Sequence, residues 1–100
     1  MTYFLNNDNI ATIEKIDTSK LDYSFDFSEW LAAVVDSIAT YEITGDVGIT
    51  IDSTLQFNGI VTAFVSGGLI GSYPKVTCKI TTADGRIDSR TIKLQIVAQR

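Results

Sequence analysis

"LDYSFDF", residues 21–27, decides how the rest of the chain is read. Leu21, Tyr23, Phe25 and Phe27 alternate strictly with Asp22, Ser24 and Asp26. A period of two is the pattern of a half-buried strand, with one face apolar and the other wet. Three of the four inward positions carry aromatic rings. The expectation is a core anchored on this strand; an exposed aromatic docking patch is the alternative. "SEWLAAVVDS" (28–37) comes next, with Ser28 placed to cap a short helical turn. Trp30 and Leu31 then fold back onto the same core.

Beyond it, strand patterning continues to the end of the chain. "SIATYEIT" (37–44) reads as a strand with apolar side chains on both faces, so its orientation stays open. "GDVG" (45–48) is a turn and "ITID" (49–52) a short strand. "TLQFNGIVTAFV" (54–65) is a hairpin turning on Asn58-Gly59, two residues that tolerate the positive φ of a type I′ turn. "SGGLIGS" (66–72) is a flexible glycine-rich loop. "YPKVTCKITT" (73–82) puts Val76, Cys78 and Ile80 inward. "ADGR" (83–86) marks a second hairpin at Asp84-Gly85, and "RTIKLQIV" (90–97) puts Ile92, Leu94 and Ile96 inward. About seven short strands with turn chemistry between them predict an all-β, immunoglobulin-like antiparallel two-sheet sandwich. Residues 1–18 show no regular period and read as an N-terminal arm. Residues 19–100 then form the sandwich domain.

Composition narrows the function. The chain has 100 residues, 45% of them hydrophobic, which suits one domain with one core. No apolar run approaches the roughly 20 residues of a membrane helix. "MTYFLNNDNIATIEK" lacks the basic and apolar regions of a secretory signal, so synthesis in a cytoplasm is the expectation. The single cysteine, Cys78, excludes an internal disulfide and a cysteine-based zinc cluster. The chain has no histidine, the commonest general base and transition-metal ligand. A net charge of −4 argues against a duplex-binding protein. Residues 1–50 hold nine acids and two lysines, and residues 51–100 three acids and six bases. Either copies dock an acidic face on a basic face, or strands from the two halves interleave and the asymmetry averages out.

Candidate chemistry is thin. Cys78 sits at an inward strand position and reads as an inert buried thiol. Asp46 with Asp52, and Asp84 with Asp88, are carboxylate pairs near turns, where aspartate commonly caps local backbone groups. "SGGLIG" lacks the following helix and the lysine of a phosphate-binding loop. The aromatics of residues 21–31 lie among acids, which repel a single-stranded nucleic acid. No catalytic residue, metal ligand or cofactor emerges, and the expectation is a protein that is not an enzyme.

Several blocks, in order, resemble the phage fibre-tail adaptor family. The stretch from Lys15 to Ala32, with "LDYSFDFSEWLA", is similar to that family's opening signature. "DSIATYEI" (36–43), "GITIDS" (48–53) and "VTAFVSGGLIGSYPKVTCKITTADGRIDSRTIKLQI" (61–96) continue it. The family's Asp-Trp is Asp26-Phe27 here, which keeps the ring and loses the indole donor. "AAVVDS" departs from the short turn expected before the next strand. The resemblance implies a virion structural protein made in the host cytoplasm, joining tail fibres to the tail tube or neck. Its partners would be other phage tail, neck or fibre proteins, with several copies around the tail axis and neither nucleic acid nor membrane. A carbohydrate- or host-surface-binding module is the alternative, motivated by the "SGGLIG" and "FNG" loops and by Phe57 and Phe64.

The arm supplies the candidate binding residues. Tyr3, Phe4, Leu5 and Ile10 are apolar without a period. Burying each large side chain against a partner contributes about 1.5–3 kcal/mol. The arm is expected to dock on a neighbouring subunit or tail protein, or else to add a first strand to its own sandwich.

Overall fold

A computed structural model describes residues 10–98 of the chain. Seven strands and one short helix follow in order: β1 (Ile10–Ile16), β2 (Lys20–Asp26), α1 (Ser28–Ala33), β3 (Ile38–Gly45), β4 (Ile49–Phe57), β5 (Ile60–Gly67), β6 (Lys75–Thr82) and β7 (Ile87–Val97). They form a four-stranded sheet in the order β1-β7-β6-β3 and a three-stranded sheet in the order β2-β5-β4. The two-sheet sandwich expected from the strand pattern is present.

The core lies between the inner faces. β2 contributes Tyr23 and Phe25, followed by Phe27; β5 contributes Val61, Ala63 and Val65. From the other sheet come Val76, Cys78 and Ile80 of β6 and Ile92, Leu94 and Ile96 of β7, with Leu31 of α1 closing one end. The alternation read in residues 21–27 is therefore a core face, and the exposed aromatic patch is set aside. Trp30 packs partly buried against the same cluster.

The structure corrects several expectations. Residues 10–16 are not free arm but β1, and β1 runs parallel to β7, from Ile10 beside Thr91 to Ile16 beside Val97. The sandwich is thus not wholly antiparallel. "ITID" and "TLQF" belong to one strand, β4, whose register against β5 shifts between Ile51 and Ser53. The extra residue there is Asp52, a bulge that bends the strand without ending it. Ser28 is the first helical residue and not the cap; Phe27 holds the cap position without a side-chain bond. Asp26 acts in its stead, its Oδ1 accepting the Ser28 N–H at 2.8 Å.

A second bulge resolves the ambiguity of β3. Its register against β6 shifts between Ile38 and Thr40. Ile38 faces inward before the shift, and Tyr41 and Ile43 pack against the core after it. The β4–β5 hairpin turns as expected on Asn58 (φ 51°) and Gly59 (φ 81°). Gly59 has a second reason to be glycine: a Cβ there would lie 3.0 Å from Leu31 Cδ1 and 3.1 Å from the Ser28 Cα.

The glycine-rich loop is pinned rather than loose. Gly71 N–H donates to Ile96 O at 2.9 Å, and Ile96 N–H donates to Ser72 O at 3.1 Å. Gly68, at φ +125°, lies so close to β7 that a Cβ would fall 2.7 Å from Ile96 Cδ1. Close packing on the strand end, and not a phosphate cradle, accounts for the glycine there.

Candidate functional site

Lys15 is fully buried at the edge of the core. Its Nζ donates to Ile16 O (2.9 Å), Ser19 O (2.6 Å) and Gly67 O (2.7 Å). All three ammonium protons are used, and the last bond crosses from β1 in one sheet to β5 in the other. Burial lowers the Lys15 pKa, against the opposing pull of Asp17 and Asp52. This is a cross-sheet tie at the end of the sandwich formed by the 17–19 turn and the 68–74 loop.

The opposite end gathers the motif residues. The Arg90 guanidinium lies over the Phe27 ring, 4.4 Å from its centroid, a cation–π contact on a buried aromatic. Arg90 also donates to the Asp26 carbonyl. The Ser28 hydroxyl, then its N–H, hold the Asp26 carboxyl below its usual pKa; burial opposes this and Arg90 adds to it. Asp26, Glu29, Trp30 and Arg90 together line a small cleft of about 220 Å³. Phe27 therefore serves as a platform for a cation, a role that needs a ring and not an indole N–H.

Asp36, in the α1–β3 connection, is the second hub. Its Oδ2 accepts from Arg86 Nη1 at 2.8 Å, and its Oδ1 accepts from Ser37 N–H at 2.8 Å and Asp84 N–H at 3.3 Å. Burial alone would raise its pKa. The hydrogen bonds from Thr82, Ser37, Arg86 and Asp84 outweigh that and hold it at about 2. The β6–β7 hairpin is thereby tied to the helix end. A larger cleft, about 420 Å³, opens between α1 and the β4–β5 hairpin, lined among others by Leu31, Asp36, Ile38, Gln56 and Gly59.

The other sequence candidates have local duties. Burial pushes the Cys78 thiol up to about 12, which removes the thiolate needed for nucleophilic chemistry. Asp46 Oδ2 accepts from Lys75 N–H at 3.0 Å. Asp88 Oδ1 accepts from Ser89 N–H at 2.9 Å. Among the described residues, no group of three acids, cysteines or histidines is placed to hold a metal ion. No helix among them is long and apolar enough to cross a membrane.

The two loops that motivated carbohydrate binding do not converge. Asn58-Gly59 and the 66–72 loop lie at opposite ends of β5. Of the proposed docking residues, Tyr3, Phe4 and Leu5 lie outside the described residues. Ile10 opens β1, in register with Thr91. Lys15, Asp36 and Arg90 carry the local architecture, and reading for catalytic groups passes them by. For Arg90 a signal existed, since it shares the inward parity of Ile92, Leu94 and Ile96.

Strands of the two halves share both sheets, yet the charge is not averaged out: the strands of the four-stranded sheet hold five basic and three acidic residues, those of the three-stranded sheet one basic and three acidic. The three-stranded sheet has an outward apolar cluster that takes in Phe57 and Phe64, the two aromatics that motivated the carbohydrate-binding alternative. Leu55 and Phe57 of β4 are 50% and 70% exposed. Phe57 stands opposite Ile60, and Leu55 is diagonal to Phe64.

Comparison with known proteins adds one match. The family model described as podophage GP4 fiber-tail adaptor protein gp77 matches residues 15–95, from the buried lysine to Gln95 near the end of β7. No curated protein matches the chain.

Proposed function

The chain belongs to the family of the podophage GP4 fiber-tail adaptor protein gp77, and on that premise we propose that it is a non-enzymatic structural protein of a phage virion. It joins tail fibres to the tail tube or neck, in several copies around the tail axis. The observation that carries the reading is the extent of the match, residues 15–95, which takes in every strand from β2 to β6, most of β7 and the last two residues of β1.

The architecture suits the role. Acidic and basic side chains around Asp36 and Arg90 are consumed in fastening α1 and the hairpins to one another, which makes a stiff end and not a reactive one. A sandwich presents open strand edges, and edges recruit strands from neighbours. The arm residues Tyr3, Phe4 and Leu5, with Ile10 where the arm meets β1, supply apolar contact to a neighbouring subunit or tail protein.

The test is genetic and structural. A phage lacking this chain should assemble heads and tails without attached fibres, and restoring the chain should restore them. Purified virions of the wild-type phage that lack the protein would overturn the proposal.

A further inference from the structure

We propose that the free edge of β4 is the receiving surface for residues 2–5, "TYFL", of a second copy of the chain, which adds there as a strand. This rests on the reading above that the arm docks on a neighbouring subunit.

Among the described residues, four strands form the sheet edges: β1, β2, β3 and β4. Charged side chains are a common guard against stray strand addition. β1 carries Glu14, β2 carries Lys20, Asp22 and Asp26, and β3 carries Glu42. The distal half of β4, Ser53–Phe57, carries no charge. All five of its residues are exposed, so this half-strand projects from the sandwich. Its two faces differ. Outward, Leu55 and Phe57 continue onto Ile60 and Phe64. Inward, Gln56 borders the cleft of about 420 Å³ whose wall includes Leu31 and Ile38.

The occupant follows from chemistry and reach. "TYFL" is uncharged and rich in strand-forming residues. Added to β4, it alternates: Tyr3 and Leu5 cover the outward cluster, and Phe4 turns toward the cleft. The chain cannot serve its own β4. Ile10 sits on β1, at the far edge of the four-stranded sheet, whereas β4 lies beneath β3 at the opposite edge, where Tyr41 Oη meets Thr54 Oγ1 at 3.1 Å. A strand beyond β4 is displaced by about four strand spacings, ~19 Å, and by ~10 Å between sheets, more than 20 Å on a line through the core. The five steps from Leu5 to Ile10 span at most about 17 Å. The contact is therefore made in trans. It is heterologous, one copy giving the arm and the next the edge, the kind that closes into rings.

Sedimentation velocity on the full chain tests this. Wild type should self-associate with rising concentration. Deleting residues 2–5, or substituting Phe57→Glu, should each weaken association by about tenfold or more, as for loss of an aromatic anchor. Leu55→Glu provides a second edge variant, and unchanged melting curves verify that the folds are intact. An equimolar mixture of the deletion chain and the Phe57→Glu chain should form a 1:1 dimer, because one retains the arm and the other the edge. A mixture that stays monomeric, edge variants that assemble like wild type, or a wild-type chain monomeric throughout would each overturn the inference. None of those results touches the adaptor reading, which falls only if virions lack the chain.

Discussion

Asp36 accepts hydrogen bonds from the backbone at Ser37 and Asp84 and from the Arg86 guanidinium. Its pKa moves from 3.8 to about 2 on folding. The unfolded chain therefore binds its proton more readily than the folded one. The stabilisation is complete above about pH 4 and is lost as pH falls from there toward 2. Urea denaturation across that window should show a falling midpoint in wild type and a flatter profile in Asp36→Asn; an equal fall in both would exonerate Asp36. Lys15 gives a different prediction. In Lys15→Met the carbonyls of Ile16, Ser19 and Gly67 lose a buried donor. Leaving buried acceptors unmet costs about 2–3 kcal/mol, to be read as a lower urea midpoint. Nothing in the sequence around Lys15 announces a buried lysine. What satisfies it are backbone carbonyls, one of them 52 residues away, and backbone groups leave no compositional trace.

At the scale of elements, turns are legible where their chemistry is local. Asn58-Gly59 identifies its hairpin because both residues must take positive φ, 51° and 81°. Gly59→Ala should destabilise the domain by about 1–3 kcal/mol, from the strained φ together with the close approach of Leu31 and Ser28, while Asn58→Gly should be nearly neutral. Thermal melts of the two variants make the comparison. Bulges are another matter. Ala39 and Asp52 each add one residue to a strand, which reverses the inward parity downstream but changes no composition. Hence "SIATYEIT" looks apolar on both sides, and "ITID" looks like a strand that stops. The cap of α1 is similar: serine at 28 and aspartate at 26 are both good caps, and only the path of the chain after β2 assigns the bond to Asp26.

For the whole molecule, the sandwich was legible from the strict alternation of residues 21–27 and 76–80, since each such strand needs a facing sheet. The place of β1 was not, because its partner β7 lies at the other end of the chain and pairing across that distance has no local signature. That parallel pairing has a mechanical consequence. Ile10 begins one strand and Val97 ends the other, and the two strands lie side by side over seven residue pairs. Tension applied at those two points pulls the strands past each other along their length, so every hydrogen bond between them bears load at once. Tension applied at Lys75 and Lys93, which face each other across the antiparallel β6–β7 ladder, opens that ladder one rung at a time. In single-molecule stretching, the first geometry should rupture at clearly higher force than the second. A domain hung between a tail and a fibre by its first and last strands would meet a pull in shear, the direction in which it yields least.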